Sequence, residues 1–305
     1  MTTRTLPPGR YVQIYRGAVR GNSKDEKRAS ITNVVEQLKN LGVKGVVWHG
    51  FSNELTPTVF KELAVICTSR GLLSLASFGD GDSDPEGFGR RVGNIANLPE
   101  CAGVVLDMEG IWENEADDKS DAIKLGKALR EVAPNALVID QPWPVPNLHS
   151  SFPWDETAAY VDIRAPQYYV NNWIGSKGKE RYSFCWNWFE DSWIKRNAKY
   201  AQKGLVKPMI KTIQGYKWYF KDLVHCLTSN PTLIIWSDPY PDQVFMAGLA
   251  VVQKLESLGF TGPEAVKAFQ VKWNLEHPQD KIGTDNIIGP MTMSRLGLPP
   301  PPASS

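Results

Sequence analysis

Eight short apolar runs, most of them followed by an amphipathic stretch, constrain what this chain can fold into more than any other feature. The runs cover 11–15, 45–49, 72–78, 103–108, 136–141, 161–169, 208–214 and 233–236. Helical periodicity fills 29–41, 57–69, 86–97, 119–132, 186–202 and 242–258. A strand that is apolar on both faces is covered on both sides, and its alternation with helices predicts a parallel sheet. Eight such strands predict a closed (β/α)8 TIM barrel; a doubly wound open sheet is the alternative, but no G-x-G-x-x-G turn supports it. Thr56-Pro57 reads as an N-cap with proline in the first turn. Gly42, Gly71 and Gly204 stand where C-terminal glycine caps belong. The helices expected after the fifth and seventh strands are poorly defined.

At 305 residues the chain has room for one barrel of about 250 residues and a small appendage. The net charge of +1, with both signs interspersed, removes the basic footprint of a nucleic-acid binder. No apolar run approaches the roughly 18 residues of a membrane span. Met1–Arg10 is polar and includes Pro7-Pro8, so no signal peptide is expected and synthesis is expected in the cytoplasm, with any outside target reached by another route. Cys67, Cys101, Cys185 and Cys226 are isolated and read as reduced, buried thiols. The four histidines form no H-E-x-x-H. Asp80-Gly81-Asp82-Ser83-Asp84 starts like a calcium loop, but Pro85 and Arg91 stand where glycine and glutamate are needed. No metal or cofactor is expected.

The chemistry is most visible in Gly103-Val104-Val105-Leu106-Asp107-Met108-Glu109-Gly110. Residues two apart on a strand face one side, so Asp107 and Glu109 point together at the C-terminal end of the fourth strand, where barrel enzymes build their sites. Two carboxylates that close raise the pKa of one, which makes a proton donor.

This segment resembles the D-G-x-D-x-D-x-E strand of family-18 glycoside hydrolases, the chitinase-like barrels. Ser74-Leu75-Ala76-Ser77-Phe78-Gly79 resembles that family's third-strand serine-glycine motif. Ala165-Pro166-Gln167-Tyr168-Tyr169-Val170-Asn171 resembles its sixth-strand segment, and Trp236-Ser237-Asp238 its eighth-strand tryptophan motif. The resemblance spans about 10–240. It implies that Glu109 protonates the glycosidic oxygen and that Asp107 orients the substrate's own 2-acetamido nucleophile, a departure from the usual two-carboxylate scheme. It implies that Tyr169 binds the acetamido oxygen, that Trp236 lies under the sugar, and that Gln167, Asn171, Ser77 and Asp238 contact substrate. The family's inner aspartate is Val105 here. That departure opens two alternatives, a family-25 lysozyme and a disabled barrel that only binds glycan or builds a particle. The lysozymes carry an aspartate on strand one, where this chain has Tyr15-Arg16.

Tryptophan is abundant, at 11 residues. Trp186, Trp188, Phe189 and Trp193 follow strand six, and Trp143, Trp173 and Trp218 lie near other strand ends. Each reads equally as a glycan-stacking surface or as helix packing.

Past about residue 245 the character changes. Val252–Phe260, Ala265–Gln270 and Asp285–Thr292 resemble the peptidoglycan-binding three-helix module attached to many wall hydrolases. Asn286 replaces the glycine of its D-G-x-x-G-P-x-T turn, which asparagine's tolerance of left-handed backbone allows. The expected organisation is a barrel over 1–244, an all-α module over 245–298 and a Pro-rich tail over 299–305, with the last barrel helix running directly into the module. Together these resemblances imply an endolysin-like glycosidase acting on bacterial peptidoglycan, with a phage or injection-particle association, and a chitinase as a further alternative.

Overall fold

The computed structural model describes residues 4–15, 23–51, 53–79, 83–113, 117–169, 189–196, 198, 209–214, 218, 220–237 and 242–300. Eight parallel strands form the barrel: β1 Arg10–Tyr15, β2 Gly45–Gly50, β3 Leu73–Phe78, β4 Gly103–Leu106, β5 Val138–Asp140, β6 Ile163–Arg164, β7 Lys211–Gln214 and β8 Leu233–Ser237. Seven ladders run from β6 through β1 to β7, and parallel bridges Arg164–Met209 and Gln167–Thr212 close the ring between β6 and β7.

Around the barrel lie α1 Lys24–Asn40, α2 Pro57–Thr68, α3 Pro85–Ala96, α4 Asp118–Val132, the short α5 Trp154–Ala158, α6 Phe220–Ser229 and α7 Gln243–Ser257. Two further helices, α8 Ala265–Glu276 and α9 Pro290–Arg295, complete the C-terminal region. Local signals set several ends. Ser23 and Glu26 form a reciprocal capping box that starts α1 earlier than its apolar periodicity does. Thr56 accepts from the Val59 N–H at the start of α2, and Asp84 accepts from the Gly87 N–H at the start of α3. Asp84 thus has a capping role; Asp80–Asp82 lie outside the described residues. Gly42 and Gly71 follow their helices with φ of 72° and 73°; Gly204 lies outside the described residues.

Strand alternation sorts the barrel into two cores. Val12, Ile14, Val46, Trp48, Ala76, Phe78, Val104 and Leu106 face the helices. Tyr11, Val47, Leu75, Val105, Ile139, Ile163 and Ile234 pack inside. Leu6 joins this inner cluster from below, and the Tyr11 hydroxyl donates to the Pro7 carbonyl at 2.7 Å, so the N-terminal segment closes the bottom. Gly45 makes room for Tyr11: a Cβ there would lie 2.9 Å from the ring. Val105 therefore belongs to a dry layer beneath the site.

β6 is much shorter than the expected 161–169. Pro166 has no N–H to give, so the ladder breaks there and resumes only as the Gln167–Thr212 bridge. β4 likewise ends at Leu106, one residue before the first carboxylate.

α7 packs on the barrel and leads into the C-terminal region. Gly248 lets it lie against α6, where a Cβ would sit 2.7 Å from Leu223. Arg10, at the start of β1, binds Glu256 at 2.7 Å and the Leu227 carbonyl at 3.2 Å. Beyond Gly259, Phe260 meets Phe269 edge-on, and the buried Gln270 amide donates to Asp285, to the Ile287 carbonyl and to Thr292. Asn286 takes a positive φ of 60° and accepts from the Lys267 N–H. No described helix is long and apolar enough to cross a membrane.

Candidate active site

Above the apolar layer, the next inward position on most strands is polar. It carries Gln13 on β1, His49 on β2, Ser77 on β3, Asp107 after β4, Gln141 after β5, Gln167 after β6 and Thr212 on β7. Gln13, Ser77, Gln141, Gln167 and Thr212 are almost wholly buried. Buried polar groups at this density must bond one another, and they do. Gln141 donates to Gln13 at 2.8 Å and to Thr212 at 3.1 Å. Gln13 donates to Ser77 at 3.3 Å, and Ser77 lies 3.0 Å from His49 Nδ1.

Although β4 ends at Leu106, the Asp107 N–H still donates to the Phe78 carbonyl at 2.8 Å, and the Gln141 N–H to the Leu106 carbonyl. The extended backbone thus persists far enough to turn both acids inward. Gln167 Nε2 lies 2.8 Å from Asp107 Oδ1, 2.8 Å from Glu109 Oε1 and 3.1 Å from the Gln141 carbonyl. One amide nitrogen with two hydrogens thus serves three acceptors. Desolvation pushes the Asp107 carboxyl well above the ordinary 3.8, the Glu109 charge adds to this, and the Gln167 hydrogen bond opposes it. Burial and the neighbouring charge thus both favour the protonated form of Asp107.

Tyr169 and Trp236, both half-buried, have ring centroids 6.1 Å apart and interplanar angle 38°. Of the residues picked out from the sequence, Asp107, Glu109 and Gln167 are joined by hydrogen bonds. Tyr169 and Trp236 pair on the β6–β8 side. Ser77 lies in the same polar row but bonds His49 and Gln13. Asn171 and Asp238 lie outside the described residues, as do Trp173, Trp186 and Trp188. Phe189 packs edge-on against Tyr168 and Trp193 against Trp154, both buried, so these two aromatics belong to packing. Trp218 is buried as well.

Sequence reasoning missed Gln13, His49, Gln141 and Thr212. Their signal was present: each is a polar residue at an inward position of an apolar run, and such residues are the informative ones. A second group at the same rim was signalled in the sequence only by Trp143. Glu113, in the 3-10 turn Gly110–Glu113, lies 2.8 Å from His149 Nδ1, and His149 stacks on Trp143. Among the described residues, no group of three or more His, Cys, Asp or Glu side chains could hold a metal ion.

Comparison with known proteins bears on the fold. No protein-family model matches the sequence, and no curated protein matches it. Solved structures do. The PgaB (BpsB) glycoside hydrolase domain from Bordetella bronchiseptica superposes with a TM-score of 0.51 at 10% identity, covering 81% of this chain and 98% of that one. The Pseudomonas stutzeri endoglucanase Cel5A gives 0.51 at 11% identity, covering 79% and 94%. At such identities the likeness establishes the barrel and nothing finer.

Proposed function

We propose that this chain is a glycoside hydrolase that cleaves β-1,4 bonds between N-acetylated sugars of bacterial peptidoglycan. The observation that carries the reading is the carboxylate pair at the barrel's C-terminal mouth, tied by one Gln167 nitrogen, with burial and mutual repulsion raising the proton affinity of Asp107. Two neighbouring carboxyl groups, one of them buried so that its proton is held more tightly, are the working parts of glycosidic acid catalysis. That both superposed barrels are named for glycan hydrolysis also supports it.

In this reading Asp107 passes its proton to Glu109 as substrate enters, and Glu109 delivers it to the glycosidic oxygen. The aglycone leaves as an alcohol. Asp107, now ionised, stabilises the positive ring formed when the acetamido oxygen bonds the anomeric carbon. Water, giving its proton to Glu109, then attacks that carbon, breaks the acetamido bond and releases the sugar. Tyr169 steadies the acetamido group, Trp236 supports the sugar, and Gln167 keeps the two acids in register. Ser77, Asn171 and Asp238 complete the substrate contacts. The C-terminal helices act as the wall-binding module and raise local substrate concentration. Peptidoglycan is the partner, and phage or injection-particle delivery is the setting.

Val105 supports a second reading, a barrel that binds glycan without cutting it, because the layer beneath Asp107 holds no further acid among the described residues. Mass spectrometry of the fragments released from purified peptidoglycan separates the two. New reducing ends on N-acetylglucosamine or N-acetylmuramic acid support hydrolysis and name the bond. Binding with no new reducing end supports the second reading.

A further inference from the structure

The described barrel tryptophans divide sharply. Trp48, Trp112, Trp154, Trp193 and Trp218 are at most 4% exposed, whereas Trp143 and Trp236 are half-buried. Both of these stand at the C-terminal rim. Trp236 belongs to β8, across the barrel from the carboxylates, and the glycosidase reading already uses it. Trp143 follows β5, the strand next to the carboxylates, and has no part in that reading.

Trp143 is fastened to the acid site from two directions. It lies two residues past Gln141, whose carbonyl accepts from Gln167 Nε2, and the intervening Pro142 carbonyl accepts from the Gln167 N–H at 3.0 Å. Its ring lies nearly parallel to His149, with centroids 5.2 Å apart and an angle of 12°. Glu113 holds His149 Nδ1 at 2.8 Å, and Glu113 is only four residues past Glu109 on a turn where the Trp112 N–H donates to the Glu109 carbonyl. The indole N–H is buried and makes no hydrogen bond to a described residue. The stack on His149, and not a polar anchor, therefore sets the ring's orientation.

We propose that Trp143 is the platform for the sugar on the leaving-group side of the scissile bond, with His149 and Glu113 as the clamp that orients it. A pyranose offers an apolar C–H face, and a fixed indole is the side chain best suited to it. A glycan lying across the mouth places one ring on Trp236, the next on Trp143, and the bond between them over the Asp107–Glu109 pair. This assignment rests on the glycosidase reading.

The test compares two substrates. One is the β-1,4-linked tetramer of N-acetylglucosamine, which fills the leaving-group side. The other is N,N′-diacetylchitobiosyl fluoride, whose fluoride leaves that side empty. Trp143→Ala is expected to lower kcat/KM on the tetramer about tenfold or more, the loss of one stacked ring, and to leave the fluoride within about twofold. Trp143→Phe should recover part of the loss and guards against a folding defect. His149→Ala should fall between, again on the tetramer alone. Equal losses on both substrates, or none on either, overturn the assignment while leaving the glycosidase reading standing. If the parent protein cleaves neither these substrates nor purified peptidoglycan, the glycosidase reading fails and the assignment falls with it. If it cleaves peptidoglycan alone, Trp143→Ala must lower kcat/KM on soluble peptidoglycan strands by the same factor of about ten, and an unchanged rate overturns the assignment.

Discussion

Asp107 and Glu109 accept from the same nitrogen, each at 2.8 Å, and that nitrogen belongs to Gln167. The pair is held together by a neutral donor where a salt bridge would have pinned both acids in the charged state. Because the donor is neutral, desolvation and mutual repulsion prevail, and the Asp107 carboxyl is raised well above its ordinary 3.8.

Replacing Gln167 with Leu removes the single influence that lowers the Asp107 value. Its titration, followed by carbon NMR of the carboxyl, should move further upward, and hydrolysis should fall. An unchanged titration would show that the hydrogen bond does not couple to the acid.

Asp107 also makes a stability prediction. Its folded value lies above the ordinary 3.8, so between those two pH values the folded state retains a proton that the unfolded chain has lost. Stability from this group therefore falls as pH rises through that window, by at most about 1.4 kcal/mol per pH unit for one proton. Asp107→Asn should flatten that part of the profile and be the more stable form at neutral pH. Urea unfolding from pH 4 to 8 checks this, and parallel profiles would contradict it.

The barrel was legible because its evidence is repetitive: eight apolar runs, most of them paired with a helix, leave little choice of architecture. The carboxylates were legible because a two-residue spacing survives the early end of β4. What the strand alternation also held, in Gln13, His49 and Gln141, was a polar row visible only once the register of all eight strands is known. Glu113, His149 and Trp143 meet through two loops, and no local pattern encodes that meeting. The short β6 had a readable cause in Pro166.

Val105 tests the layer beneath the site. It is fully buried among Tyr11, Val47, Leu75, Ile139 and Ile234. Val105→Asp places a carboxyl where nothing described can pair with it, and should destabilise the fold by roughly 3 kcal/mol or more. Thermal unfolding measures it. A variant as stable as the parent would mean that the layer is wetter than its packing shows.

α7 makes the C-terminal boundary testable. A chain ending at 242 loses Phe245, Leu249 and Val252 from the core, together with the Arg10–Glu256 pair. It should fail to give an intact barrel by circular dichroism, whereas a chain ending at 258 should fold and lose only wall retention. Normal folding of the shorter chain would contradict a structural role for α7.

The most direct measurement is the rate at which Glu109→Gln cuts glycan strands prepared from peptidoglycan. The substitution keeps the side chain's shape and removes its transferable proton. The account predicts a fall of roughly 100-fold or more, the usual contribution of a general acid, with binding to the same strands retained. Hydrolysis at the parental rate would contradict it, because the acid would then lie elsewhere.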